Sequence, residues 1–207
     1  MTRRRHFEIL ERRRCHDGFF KLDLLRLRYE RFEGGWSVPL SRELFLQREA
    51  VAALPYDPRE DRVVLIEQFR AGAVDAPGGP WLIEAVAGLR EPGETLEEVA
   101  RREVAEEAGL EVGRLQPAGA YRSSPGATNE LVHVFIAEVT APAEGGIFGL
   151  AGEHEDIRSH VVELEQAFAW LESGRITAAT AVFPLLWLKA RRESLRALWG
   201  DGGEPPS

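Results

Sequence analysis

Apolar and polar residues alternate over several short segments in the first third of the chain, a pattern typical of β-strands. Residues 19–38 predict a hairpin whose two halves are joined by a Glu-Gly-Gly turn at 33–35. Two apolar runs, 49–55 and 62–69, predict a pair of neighbouring strands. Residues 1–17 are rich in arginine and show no clear period.

The most strongly marked element is a helix that follows a strand predicted at 81–87. Thr95 and Glu98 have the spacing of a capping box, in which each side chain accepts a hydrogen bond from the other residue's backbone N–H. Apolar residues then recur at helical spacing, and Gly109 stands where a left-handed C-cap residue ends a helix. The sequence therefore predicts a well-capped helix between Thr95 and Gly109.

Further strands and helices are predicted in the C-terminal half. The strands fall at 113–121, 130–139 and 157–164, a loop at 145–155, and the helices at 165–173 and 177–198. This order predicts an α+β protein with a mixed sheet flanked by helices. We expect a β-rich N-terminal extension at 1–48, a main domain at 49–199 and a polar, disordered tail at 200–207.

The composition excludes several classes of protein. The 207-residue chain is 44% hydrophobic, and its formal net charge of −8 argues against nucleic-acid binding, because phosphate contacts need a positive field. Its single cysteine, Cys15, allows no internal disulfide. The longest nearly apolar run, 178–188, is too short to span a bilayer, and no apolar signal segment follows the N-terminal arginines. We therefore expect a soluble, cytoplasmic protein that binds neither nucleic acid nor membrane.

The negative charge is concentrated around the predicted helix. Residues 84–111 hold nine acidic side chains and three arginines. Glu103, Glu106 and Glu107 lie within a sector of about 100° on one helix face, where like charges repel. A hard cation such as Mg²⁺ would remove that repulsion, and Arg102 can hold a further carboxylate such as Glu94. On the helix alone, an exposed glutamate-rich face explains the pattern equally well.

The whole stretch around this helix resembles the Nudix box, Gly-x5-Glu-x7-Arg-Glu-u-x-Glu-Glu-x-Gly-u, where u is aliphatic. Every defined position is filled, at Gly88, Glu94, Arg102, Glu103, Val104, Glu106, Glu107, Gly109 and Leu110. The resemblance implies a Nudix hydrolase, an α/β/α sandwich that uses Mg²⁺ to cleave a nucleoside diphosphate linked to another group. It also implies that Glu103 and Glu107 are the principal metal ligands, with Glu106 as a further or water-mediated one and the carbonyl of Ala87 as an additional one.

The flanking segments resemble one branch of that family. Pro125 lies 16 residues after Gly109, the offset that marks the ADP-ribose pyrophosphatases, and segments 18–24, 64–70 and 146–158 also look like the bacterial enzymes of this branch. The resemblance implies hydrolysis of ADP-ribose to AMP and ribose 5-phosphate, with two or three Mg²⁺ ions or Mn²⁺ in their place. The alternatives are a pyrophosphatase for another nucleotide sugar, such as GDP-mannose, and a non-catalytic domain that senses ADP-ribose.

The same resemblance implies roles for residues outside the box helix. In the loop at 151–156, Glu153 matches the general base and Glu155 an additional metal ligand, although the order of these two roles remains open. Arg102 and Glu106 complete the catalytic group.

Further residues are implied to bind the substrate. Arg70 and Arg42 match the family's ligand-binding arginines, and arginine suits bidentate contact with phosphate. Phe19 is a stacking platform for adenine or else a core residue. The remaining positions, Ser124, Pro125 and Glu130, contact the terminal ribose or order their loop.

The resemblance finally implies a homodimer in which the N-terminal strands are exchanged. The extension carries three aromatic residues, Phe32, Trp36 and Phe45, which such a dimer could bury.

Overall fold

The structure, a computed structural model, describes residues 4–150, 152 and 154–200. Its contacts divide the chain into two compact units. The first unit runs to Glu49 and takes in Arg122–Leu131, and the second covers Ala50–Tyr121 and the chain from Val132 onward. The functional division at residue 48 stays a prediction, and most of the predicted tail, from residue 201, lies outside the described residues.

The first unit is built on a three-stranded antiparallel sheet. Its strands are β1 (Phe7–Asp17), β2 (Lys21–Tyr29) and β3 (Leu40–Leu46), in the order β1-β2-β3. The predicted hairpin is confirmed in its first strand, but only Trp36 of the predicted second strand makes a bridge, and the true partner strand is β3. Residues 1–17 show no clear period in the sequence because two register shifts and almost complete exposure leave β1 without an alternating pattern.

The segment 122–131 joins this unit through hydrogen bonds to β3 and the residue that follows it. The backbone N–H of Phe45 donates to the carbonyl of Ala127 at 2.8 Å. The backbone of Gln47 and the side-chain amide of Asn129 exchange two further hydrogen bonds, at 2.8 and 3.0 Å. A stretch far along the chain therefore belongs with the N-terminal sheet.

The second unit contains an eight-stranded mixed sheet. β4 pairs in parallel with β9, and the other pairings are antiparallel. The path through the sheet runs β10-β11-β5-β4-β9-β8, while β6 pairs with β5 and β7 with β4. The strands are β4 (Ala50–Asp57), β5 (Arg62–Phe69), β6 (Trp81–Glu84), β7 (Val86–Leu89), β8 (Leu115–Tyr121), β9 (Val132–Glu138), β10 (Ile147–Phe148) and β11 (Ile157–Glu163).

The single strand predicted at 81–87 is two strands in the structure. β4 and β5 pair only at the end of β4, through Tyr56 and Asp57, and diverge from there. β6 pairs with β5 and β7 pairs with β4. The segment therefore changes its partner strand at Ala85, a buried residue between β6 and β7. The predicted strand is interrupted because β4 and β5 diverge, and no local pattern in the sequence indicates this divergence.

In the part of the chain that the structure describes, three α-helices cover the two faces of this sheet. α1 (Leu96–Ala108) packs on the face that carries Val51 and Ala53, whereas α2 (Leu164–Glu172) and α3 (Ala179–Gly200) pack on the face of Leu54 and Tyr56. Since β4 is buried along its whole length, it reads as a continuous apolar run. The predicted α+β class with a mixed sheet is confirmed. Among the helices that the structure describes, none combines the length and the apolarity needed to cross a bilayer.

The predicted caps of α1 are confirmed. The Thr95 hydroxyl accepts a hydrogen bond from the backbone N–H of Glu98 at 3.2 Å, and the Glu98 carboxylate accepts one from the backbone N–H of Thr95 at 2.7 Å. Gly109 ends the helix with a φ of 65°, a conformation that glycine adopts without strain. Both ends of the acidic helix are thus fixed by local interactions.

Candidate active site

Arg102 is surrounded by the carboxylates of the box. Its Nε and Nη2 donate to the two oxygens of Glu94 at 2.8 and 3.1 Å, which confirms that Arg102 holds this carboxylate. Its Nη1 donates to Glu103 at 2.6 Å and to Glu106 at 3.2 Å. The Arg102 hydrogen bonds lower the pKa of Glu94 to about 2, and the carboxylates raise the pKa of Arg102. Much of the repulsion on this face is therefore offset within the helix.

Glu107 is the buried carboxylate of the group, with only 3% of its surface exposed. It accepts a hydrogen bond of 3.0 Å from the backbone N–H of Ala87 in β7. Burial raises the pKa of Glu107 to about 8, the charges of Glu103 and Glu155 add to the rise, and Arg70 opposes it. The charge of this group is costly in the absence of a cation.

Glu103 packs directly on the backbone of β7 at Gly88. A Cβ atom on Gly88 would lie 2.6 Å from the Cγ of Glu103 and closer still to its carboxylate. The absence of a side chain at Gly88 leaves room for that carboxylate in its present position. Burial also raises the pKa of Glu103, against the opposing effect of Arg102.

Glu155 approaches the helix from the loop before β11. Its carboxylate accepts a hydrogen bond of 3.1 Å from the backbone N–H of Leu150, and its own N–H donates to the Leu150 carbonyl at 3.3 Å. Its charge contributes to the raised pKa of both Glu103 and Glu107, so the three carboxylates are electrostatic neighbours. Glu153, the predicted base, lies outside the described residues.

Arg70 lies at the end of β5, next to a carboxylate that the sequence analysis missed. Its Nε and Nη2 donate to one oxygen of Glu84 at 2.9 and 2.6 Å, and the side-chain amide of Gln68 donates to the same oxygen at 3.3 Å. Glu84 is a buried acidic residue in an otherwise apolar strand segment, 81–87. That placement was the signal available in the sequence, since a buried charge requires a partner.

The residues of this site suit a hard cation in their chemistry. Carboxylate and carbonyl oxygens are the ligands that Mg²⁺ prefers, and the buried Glu107 lacks full charge compensation. Within residues 4–150, 152 and 154–200, no three histidine, cysteine, aspartate or glutamate side chains are already gathered closely enough to hold a metal ion. Arg102 and the Ala87 N–H instead take up oxygens of this group.

The other predicted substrate-binding residues lie in the first unit. Phe19 is 91% exposed and contacts Phe20 edge to face, so it is not a core residue of its own chain. Arg42 is exposed and donates to the carbonyl of Ser41 at 2.9 Å.

The remaining three positions belong to the segment 122–131. The carbonyl of Ser124 accepts two backbone hydrogen bonds, at 2.9 Å each, which form a turn around the exposed Pro125. The backbone N–H of Glu130 donates to the Thr128 hydroxyl at 3.2 Å, and Glu130 itself is half-buried. The structure thus gathers the box residues, Glu155 and Arg70 in the second unit and five further candidates in the first.

The mixed sheet with α1 on one face and α2 and α3 on the other, together with the acidic face of α1 against β7, defines a class of α+β proteins with an acidic helix beside the sheet. The comparison with family models identifies the family within that class. The model of the NUDIX domain matches residues 46–182, and the chain belongs to this family.

Curated relatives extend over nearly the whole chain. The ADP-ribose pyrophosphatase of Escherichia coli (strain K12) is 47% identical over 192 residues, which covers 93% of this chain and 92% of that protein. The ADP-ribose pyrophosphatase of Haemophilus influenzae is 42% identical over 195 residues, covering 93% of this chain and 90% of that protein. The GDP-mannose pyrophosphatase of Citrobacter koseri is more distant, at 36% identity over 71% of this chain and 76% of that protein.

A solved structure supports the same fold. The crystal structure of an ADP compounds hydrolase superposes with a TM-score of 0.72 and covers 91% of this chain and 95% of its own, at 21% identity. At that identity the likeness concerns the fold alone. The predicted Nudix sandwich is confirmed by this likeness together with the family match.

Proposed function

We propose that this protein hydrolyses the diphosphate of ADP-ribose to give AMP and ribose 5-phosphate. The observation that carries the proposal is the packing of the acidic face of α1 against β7, where Glu107 accepts a hydrogen bond from the backbone N–H of Ala87 and Glu103 lies against Gly88. Such a face suits a cation and a diphosphate. The relatives at 47% and 42% identity, both ADP-ribose pyrophosphatases, support the choice of substrate.

The metal ligands in this proposal are the carboxylates of Glu103, Glu107 and Glu155 and the carbonyl of Ala87. We propose two or three Mg²⁺ ions, with Mn²⁺ as the alternative. When bound, such ions neutralise phosphate charge and lower the pKa of a coordinated water.

The remaining catalytic roles belong to side chains around this group. Arg102 keeps Glu94, Glu103 and Glu106 in place through the hydrogen bonds described above, and Glu106 is a further ligand, direct or through water. Glu153 is the proposed base, which must lie within hydrogen-bond reach of the attacking water. We expect Glu153→Gln to lower kcat more than it affects substrate binding. If Glu155→Gln alone has that effect, Glu155 is the base instead.

The substrate-binding residues in this proposal are those that the resemblance implies. Arg70 contacts the diphosphate, and Arg42 is a second arginine beside the ligand. Phe19 stacks on the adenine, which its 91% exposed ring leaves accessible. The segment with Ser124, Pro125 and Glu130 contacts the terminal ribose or orders the loop at 122–131.

We further propose that the protein works as a homodimer whose N-terminal strands are exchanged. The first unit exposes large apolar side chains that a second copy would cover, among them Phe7, Phe32 and Val38 at 68%, 91% and 79% exposure. Trp36 is exposed, and Phe45 is half-buried against Phe20. Sedimentation of the wild type beside Phe32→Asp tests this, since a dimer should dissociate in the variant.

The proposed activity is tested with a panel of nucleoside diphosphate compounds and Mg²⁺, followed by identification of the products. We expect ADP-ribose to have the highest kcat/KM and to yield AMP. GDP-mannose is the second candidate because the Citrobacter koseri relative is 36% identical. Turnover of GDP-mannose alone would make that the function, and tight binding of ADP-ribose without hydrolysis would indicate a sensing domain. A cytoplasmic location also stays a prediction.

A further inference from the structure

A buried carboxylate fixes the guanidinium that the proposed reaction uses on its diphosphate. We propose that Glu84 is a positioning residue, which holds Arg70 in a single orientation toward the substrate. The inference rests on the function proposed above and extends it by one residue outside the box.

The fold brings Glu84 and Arg70 together at the end of two paired strands. Glu84 is the last residue of β6, and Arg70 directly follows β5. The backbone N–H of Arg70 donates to the carbonyl of Pro80 at 2.7 Å, which fixes its main chain beside the start of β6. Gln68 and Glu84 share the face of the sheet that carries Ile66, and Ile66 packs in the α1 core. The pair therefore lies on the α1 side of the sheet.

The geometry of the pair leaves one edge of the guanidinium available. Both hydrogen bonds to Glu84 come from the Nε–Nη2 edge of Arg70, and a guanidinium offers a second bidentate edge formed by Nη1 and Nη2. The Glu84 side chain is 7% exposed and that of Arg70 41%, so the arginine stays accessible although its partner is buried, and Nη1 takes no part in the two hydrogen bonds to Glu84. The Nη1–Nη2 edge matches the paired oxygens of a diphosphate.

Stability alone is a poor explanation for this arrangement. An ion pair of this kind gives little net stability, because the cost of removing the Glu84 charge from water offsets its attraction to the partly exposed Arg70. Three N–H groups, two from Arg70 and one from Gln68, converge on a single oxygen of Glu84 and restrict where the guanidinium can point. The arrangement therefore fixes the orientation of the Arg70 guanidinium. This guanidinium lies near the carboxylate face of α1, where its charge acts on Glu107.

A double-mutant cycle tests the proposal. Glu84→Ala, Arg70→Ala and the double variant are compared with the wild type by kcat and KM for ADP-ribose with Mg²⁺, and by calorimetric affinity for ADP with Mg²⁺. Glu84→Gln keeps a carbonyl oxygen as acceptor. Glu138→Ala is the matched control, because Glu138 pairs with Nε and Nη2 of Arg114, both at 2.7 Å, outside the box.

We expect Glu84→Ala and Arg70→Ala each to lower kcat/KM by up to about 100-fold, the loss associated with misplacing a binding group by about 1 Å. Because Glu84 acts through Arg70, the double variant should be no worse than Arg70→Ala. Glu84→Gln should recover most of the loss, while Glu138→Ala lowers the melting temperature and leaves kinetics and ADP affinity unchanged.

Two results would overturn the inference. One is a Glu84→Ala loss that is as large in the Arg70→Ala background as in the wild type. The other is an ADP affinity that does not respond to Glu84. If ADP affinity shows the non-additive dependence on Glu84 and Arg70 but the wild type leaves ADP-ribose intact, only the proposed function is contradicted. If the dependence is absent and the wild type also fails to hydrolyse ADP-ribose, both proposals are contradicted.

Discussion

Gly88 is the position where a single added methyl group tests the metal site most directly. In Gly88→Ala, the new Cβ would lie 2.6 Å from the Cγ of Glu103. Non-bonded carbon atoms rest about 3.5 Å apart or more, so the Cγ must recede by about 0.9 Å and the carboxylate by more. Because the end of this side chain is flexible, we expect it to swing aside and lose its 2.6 Å hydrogen bond from Arg102.

A carboxylate displaced by that amount cannot serve Mg²⁺, which demands near-ideal geometry at about 2.0–2.1 Å. We expect kcat/KM to fall about 100-fold, equivalent to about 2.7 kcal/mol of transition-state stabilisation. The melting temperature should stay close to that of the wild type, since the backbone is unaffected.

The assay is the Mg²⁺ dependence of ADP-ribose hydrolysis, measured beside thermal unfolding. Gly78→Ala is the matched control, because a Cβ at Gly78 meets nothing within 4 Å. A Gly88→Ala variant with unchanged turnover and Mg²⁺ half-saturation would refute the assignment of Glu103 as a ligand. A variant that no longer folds would refute the argument that the side chain yields.

Three further predictions concern the acidic helix and a control pair. Glu107→Gln should remove nearly all hydrolysis while the circular dichroism spectrum and melting temperature are retained, and a fully active variant would contradict its role. Thr95→Ala removes one side of the capping box and should lower the free energy of unfolding in urea by about 1 kcal/mol, with no loss meaning that Glu98 alone caps the helix. The hydrogen bonds of Arg114 lower the pKa of Glu138, so that pair stabilises the fold at neutral pH and stops doing so as the pH falls through the lowered value. The melting difference between wild type and Glu138→Gln should therefore shrink below about pH 4, and a constant difference would contradict the ion pair as its cause.

The parts of the fold that could be predicted are those with a local signal. The Thr95–Glu98 box and Gly109 mark both ends of α1 because capping depends on residues within one turn of the helix. The run 50–57 marks a strand because both its faces are buried. β1 carries no such signal, since its residues are almost all exposed and its register shifts twice. The break at Ala85 depends on where two other strands diverge.

The same distinction holds for the site. Glu103, Glu106 and Glu107 are brought to one face by helix geometry, so their spacing in the sequence was sufficient. Glu84 meets Arg70 only through the pairing of β5 with β6, which spacing does not indicate. The contact between residues at two strand ends could therefore be found only from the structure, whereas the clustering of residues on one helix could be predicted from the sequence.

Arg102 reduces the repulsion between the carboxylates of the box in the absence of a cation. It donates to Glu94, Glu103 and Glu106 at once, so one positive charge is shared among three carboxylates. Glu107 accepts a hydrogen bond from the Ala87 N–H and feels the charge of Arg70, but burial nevertheless raises its pKa to about 8. The ionisation of this buried carboxylate is thus one that a bound cation would favour. In the proposed site Arg102 and Glu107 therefore have opposite parts, since Arg102 stabilises the acidic face without a cation, and Glu107 would favour the binding of one.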